Sequence, residues 1–127
     1  MIKFLVVDDE IGVSDDLRDF LKKRGYNAIS TTSGIEALQL IKREKPNIIV
    51  LDILMEGMTG IEVLREIKKT YPKIRVIMLT ALEDEATQDQ CKKLGASAYI
   101  IKPYSYEEIL KAAHKLINDI YEEETRK

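Results

Sequence analysis

Five short runs rich in valine, isoleucine and leucine, each of strand length, recur along the chain at residues 3–7, 26–30, 47–51, 74–79 and 97–101. Runs that are apolar on successive residues fit strands covered on both faces, as a parallel sheet requires. After each run comes a longer stretch with helical spacing, so the order reads as five strand–helix units. Parallel neighbours need crossover connections, which are nearly always right-handed, so helices are expected on both faces of the sheet.

The helical stretches carry their own start and stop signals. The first places Val13, Leu17, Phe20 and Leu21 on one face, with Asp15, Asp16, Arg18, Lys22 and Lys23 elsewhere, and Gly25 is a fitting C-terminal stop. The second starts near Ser33 with Glu36 at capping-box spacing, turns Ala37, Leu38 and Ile41 inward and ends before Pro46. The third sets Ile61, Leu64 and Ile67 on one side and stops before Tyr71-Pro72. A weaker fourth covers about residues 84–94 and closes at Gly95; the fifth follows Ser105 with Ile109, Ala113, Leu116 and Ile120 as its buried stripe.

With 127 residues and 45% hydrophobic content there is material for one core, so residues 1–127 are expected to form one domain, structured to about residue 121 with a charged tail after it. No apolar run approaches the roughly 20 residues of a membrane helix, and the sequence shows no signal-peptide pattern. Cys91 is the only cysteine, which excludes an internal disulfide and suits a reducing compartment, so a cytoplasmic location is expected. Twenty basic and 22 acidic side chains give a net charge of −2, without a dense basic cluster. Direct binding to nucleic acid or membrane is therefore not expected of this domain.

In open α/β sheets ligands bind beyond the carboxyl ends of the strands, so the informative residues are those just past each apolar run. The first run ends in Asp8-Asp9-Glu10, the third in Asp52, the fourth in Thr80-Ala81 and the fifth in Lys102-Pro103. Two carboxylates about 4 Å apart repel by roughly 4 kcal/mol at an effective dielectric of 20, so such a cluster calls for a cation or a proton. Hard oxygen ligands without His or Cys select Mg²⁺ or a similar ion such as Mn²⁺. With Lys102 and the Thr80 hydroxyl able to neutralise and hydrogen-bond phosphate oxygens, the set is equipped for phosphoryl transfer. Asp52 stands alone at a strand end and is the expected acceptor, since carboxylates form acyl phosphates as covalent intermediates.

The Asp8-Asp9 pair, Asp52, the Leu79-Thr80-Ala81 segment and the Lys102-Pro103 step, in this order at matching strand ends, resemble the receiver domain of two-component response regulators over nearly the whole chain. The resemblance implies a flavodoxin-like (βα)5 three-layer sandwich with a parallel five-stranded sheet in the order 2-1-3-4-5. It implies that a histidine kinase or phosphotransfer protein phosphorylates Asp52. The metal would be held by Asp8, largely through water, by Asp9 and Asp52 directly, and by the backbone carbonyl of Leu54. It further implies that Thr80 and Tyr99 act as the switch, reshaping the face of the fourth helix, fifth strand and fifth helix toward a downstream effector or output domain. The same face can support a phosphorylation-dependent dimer. On this reading the chain is not a turnover enzyme, although it assists its own phosphorylation and slow dephosphorylation. The resemblance also implies a cis bond between Lys102 and Pro103, which the residues alone would not predict, since only about 5–6% of X–Pro bonds are cis in folded proteins.

The sequence departs from the family in the loop after Asp52, where Glu56 and Thr59 stand in the places usually held by proline and an acidic residue. Thr59 can instead cap the third helix, with Glu62 completing a capping box. Leu54 and Leu82 flank the site with apolar groups that cannot orient an attacking water, which leads to the expectation of a long-lived phosphoryl-aspartate.

Each residue also has a plainer reading. Asp8-Asp9 can be an acidic pair at a helix N-terminus, Thr80 an N-cap, and Tyr99 an ordinary strand aromatic. His114 lies on a charged helix face and reads as solvated, Cys91 as a half-buried packing residue, and Met55 and Met58 as loop packing. Three other functions compete. A receiver-like binding module that is never phosphorylated is disfavoured by the full set of Asp8, Asp9, Asp52, Thr80 and Lys102. A flavin-nucleotide carrier is disfavoured because Asp8-Asp9-Glu10 would repel a phosphate. An aspartyl phosphatase would usually carry a second Asp where Leu54 stands.

Overall fold

The computed structural model describes residues 1–126. Strands β1 (Lys3–Val7), β2 (Asn27–Thr31), β3 (Ile48–Leu51), β4 (Arg75–Thr80) and β5 (Ala98–Ile101) alternate with helices α1 (Ile11–Lys23), α2 (Gly34–Glu44), α3 (Gly60–Thr70), α4 (Glu85–Lys93) and α5 (Tyr106–Thr125). All strand pairs are parallel and the sheet order is β2-β1-β3-β4-β5. This is the flavodoxin-like sandwich expected from the sequence.

Successive residues of the central strands feed two cores, which is why those strands are apolar throughout. Phe4, Val6, Ile48, Val50, Ile77 and Leu79 pack with Leu17 and Leu21 of α1 and with Ile109, Ala113, Leu116, Ile117 and Ile120 of α5. Their neighbours Leu5, Val7, Ile49, Leu51, Val76 and Met78 pack on the other face with Ala37 and Ile41 of α2, Val63, Leu64 and Ile67 of α3, and Cys91 of α4. Ser14 is buried in α1, whereas Val13 and Phe20 are only half-buried. Cys91 is fully buried rather than half-buried; it is the one side chain of α4 that enters the core between the sheet, α2 and α3.

The local signals are mostly used as read. Gly25 adopts φ +92° and closes α1 with its N–H on the Lys22 carbonyl, while Tyr26 N–H reaches Leu21. Thr59 and Glu62 form a complete capping box on α3, as Ser105 and Glu108 do on α5. At α2 only half of the expected box forms: Ser33 accepts from Glu36 N–H, but the Glu36 carboxylate is taken by the Thr31 hydroxyl. Asn47 lies just before β3: its backbone N–H donates to the Lys3 carbonyl at 2.9 Å and its side chain accepts the Lys3 N–H at 2.8 Å. Helix α5 continues to Thr125, and Glu123 meets the Arg75 guanidinium. No helix among the described residues is long and apolar enough to cross a membrane.

Candidate functional site at the carboxyl edge of the sheet

One residue beyond their apolar strands, β1 and β3 each deliver a buried carboxylate: Asp8 is 2% exposed and Asp52 4%. Asp9 is exposed beside them, and one carboxylate oxygen from each of the three lies within 4.8 Å of the others. Lys102, just past β5, reaches across the sheet edge and donates to Asp8 Oδ2 at 2.7 Å and to Asp52 Oδ2 at 3.1 Å. The other oxygens accept backbone N–H groups, Asp8 from Glu10 at 3.0 Å and Asp52 from Leu54 at 3.2 Å. The Lys102-Pro103 bond is cis, as the resemblance implies.

The electrostatics are unbalanced: two buried carboxylates share one ammonium. Burial raises the Asp8 carboxyl above its ordinary value despite the bonds from Lys102 and Glu10, and the nearby Asp52 charge adds to the rise. Burial opposes the charge on Lys102, but its bonds to Asp8 and Asp52 outweigh that and hold it above the usual lysine value. A three-carboxylate set without nitrogen or sulfur ligands suits a hard divalent cation, and its excess negative charge is the feature that such an ion would correct.

Thr80 is fully buried at the end of β4, and its Oγ accepts a weak bond from Leu82 N–H at 3.4 Å. The Tyr99 hydroxyl donates to the carbonyl of the same residue, Leu82, at 2.6 Å. Tyr99 is half-buried, and that burial pushes its phenol up to about 12, with Cys91, Asp84 and Asp52 contributing. Leu54 is 51% exposed next to Asp52.

The plainer readings divide. Thr80 is not an N-cap, since Asp84 caps α4 by accepting from Thr87 N–H. The acidic pair lies before α1 rather than in its first turn, and Asp8 bonds to Lys102 instead. His114 is exposed, Met55 is buried and Met58 half-buried in the loop, as expected.

Sequence reading missed Gly60. A Cβ there would stand 2.0 Å from the Asp52 carbonyl oxygen, so only glycine lets α3 start against the peptide of the candidate acceptor. Its backbone φ is not positive, so no turn signal marked it; the cue was a glycine directly after a capping threonine.

A parallel (βα)5 sandwich with an acidic cluster and a lysine at its carboxyl edge defines a phosphoryl-signalling receiver. The model of the response regulator receiver domain matches residues 4–114, and the chain belongs to that family. The sporulation initiation phosphotransferase F of Bacillus subtilis is 35% identical over 115 residues, which span 91% of this chain and 93% of that protein. A CheY-like response regulator receiver domain protein from Methanospirillum hungatei superposes with a TM-score of 0.90 at 29% identity, covering 96% of this chain and 98% of that one. Chemotaxis protein CheY4 of Vibrio cholerae gives 0.86 at 28%, covering 91% and 98%. The chain is thus a receiver domain of two-component, phosphorelay signalling.

Proposed function

We propose that Asp52 is the phosphoacceptor, with Lys102 and Thr80 as its assisting groups. The observation that carries this reading is the double hydrogen bond of Lys102 to Asp8 and Asp52, which gathers the three strand ends into one site. Asp8, Asp9, Asp52 and the Leu54 carbonyl are the groups that would hold Mg²⁺, or Mn²⁺ in its place. When bound, the ion supplies neutralisation of the phosphoryl oxygens.

In the transfer, an Asp52 carboxylate oxygen attacks the donor's phosphorus. The bond from phosphorus to the donor histidine nitrogen breaks, and that nitrogen leaves with the electron pair. Lys102 compensates charge on the phosphoryl oxygens, which exceeds that of the carboxylate by about one unit. Thr80 gives up its weak contact with Leu82 N–H to donate its hydroxyl to the phosphoryl group. Because Thr80 holds the N–H of Leu82 and Tyr99 holds its carbonyl, a shift of Thr80 is felt through Leu82 at β5 and at the face of α4, β5 and α5. Moving a two-state domain from 1:99 to 99:1 takes about 5.5 kcal/mol, within reach of charge-assisted bonds to Lys102 and Thr80.

The partners on this reading are a histidine kinase or phosphotransfer protein upstream and an effector or output domain downstream, with dimerisation through α4, β5 and α5 in the phosphorylated state. The site acts in the cytoplasm and does not turn over as an enzyme.

The test is intact-mass measurement after incubation with acetyl phosphate. Wild type is expected to gain one phosphoryl group only with Mg²⁺, and Asp52→Asn to gain none. A wild-type chain that stays unlabelled beside a labelled control receiver would favour a receiver-like module that binds without phosphorylation.

A further inference from the structure

The loop that carries Lys102 is short: Pro103, Tyr104 and Ser105 separate it from Tyr106, the first residue of α5. Its helical end is fixed by the Ser105–Glu108 capping box. Directly after this cap the Tyr106 ring stacks on Phe20 of α1, with centroids 4.1 Å apart and planes at 21°. Tyr104 of the loop lies 6.1 Å from Tyr106 with its plane tilted by 50°, and the Arg24 guanidinium stands 5.3 Å from the centre of the Phe20 ring. Aromatic contacts therefore run from the Lys102 loop to α1, the helix that follows Asp8 and Asp9.

The stack lies at the rim of the core. Phe20 is half-buried and packed against the apolar cluster between the sheet, α1 and α5, while Tyr106 is 38% exposed, so the pair adds to that core and also meets solvent. Offset-stacked rings do fix mutual orientation, and such pairs contribute about 0.5–1.5 kcal/mol beyond their burial. What the stack joins are the first residue of α5, four residues past Lys102, and the last turn of α1, the helix whose other end follows Asp8 and Asp9; the opposite charges of Lys102 and Asp8 meet in a 2.7 Å bond.

The geometry points to Phe20 and Tyr106 as positioning residues for phosphoryl transfer: their stack holds the Lys102 loop in register with the Asp8–Asp9 loop. This rests on Asp52 being the acceptor with Lys102 assisting. Small misplacements of assisting groups slow chemistry far more than they weaken the fold.

The experiment measures the phosphorylation rate at saturating Mg²⁺ and acetyl phosphate, together with melting temperature, for wild type, Phe20→Ala, Tyr106→Ala and Tyr106→Phe. Leu38→Ala, half-buried on the opposite face of the sheet, is the control for simple destabilisation. Phe20→Ala and Tyr106→Ala are expected to label about three- to tenfold more slowly, Tyr106→Phe at the wild-type rate, and Leu38→Ala at the wild-type rate despite a lower melting temperature. Wild-type rates in both alanine variants would overturn the inference, and so would an equal slowing in Leu38→Ala. An unlabelled wild type would overturn the acceptor reading and this inference with it.

Discussion

At the amino edge of the sheet charged side chains lie at or near the surface in opposite-sign pairs, Lys3 with Glu44 and Arg75 with Glu123, whereas at the carboxyl edge two buried carboxylates crowd one ammonium. The same strands end in both places, so the difference is not one of fold. Surface pairs each contribute about 0–1 kcal/mol and leave water to solvate what they do not satisfy. The buried cluster does the reverse: it keeps charge where burial disfavours it, raising the Asp8 carboxyl. A site kept in that condition is prepared to take up a cation and a phosphoryl group, and the domain's stability is supplied by the two apolar cores beneath it.

The largest way to break this contrast is at Gly60. Gly60→Ala is expected to cost about 3 kcal/mol or more, because the new methyl collides with the Asp52 carbonyl, and to suppress labelling together with stability. Denaturant titration and the acetyl phosphate assay read the two losses. Next is the lifetime of the acyl phosphate: replacing the exposed apolar group by an amide in Leu54→Asn, which can orient water, is expected to shorten it by about tenfold. An unchanged decay rate would remove Leu54 from the account.

A third prediction sharpens the contrast by reversing the usual sign of a mutation. Asp8→Asn removes one of two carboxylates and leaves Lys102 paired with Asp52, so the metal-free domain is expected to gain about 1 kcal/mol at neutral pH. The pH dependence follows from the same cause. Because the folded-state value of Asp8 is raised, its contribution to stability is present below the unfolded carboxylate value and is lost as pH rises through the folded one. Chemical unfolding in chelator should therefore show wild type losing stability as pH rises from the ordinary carboxylate value of 3.8 through the raised folded value, and Asp8→Asn losing less over the same span. The smallest effect belongs to the opposite edge: Lys3→Ala is expected to cost under about 1 kcal/mol and to leave labelling unchanged.

The site was legible because strand ends are marked by the change from an apolar run to acidic residues, as at Val7-Asp8 and Leu51-Asp52. Helix ends were legible where a cap lies within three residues of its partner, as at Thr59 and Glu62. What could not be read depends on neighbours distant in sequence or on backbone proximity. The Glu36 carboxylate leaves its own capping box for the Thr31 hydroxyl across the β2–α2 turn. Gly60 is required by the Asp52 peptide above it, Cys91 is the one fully buried side chain of α4, and Phe20 finds Tyr106 on a helix at the far end of the chain.

The central claim is that the acyl phosphate forms on Asp52, and the most direct measurement is to reduce the phosphorylated protein with borohydride and map the resulting homoserine by peptide mass spectrometry. The account predicts homoserine at residue 52 alone, dependent on both donor and Mg²⁺; homoserine at Asp8 or Asp9, or none in protein that has gained a phosphoryl group, would contradict it.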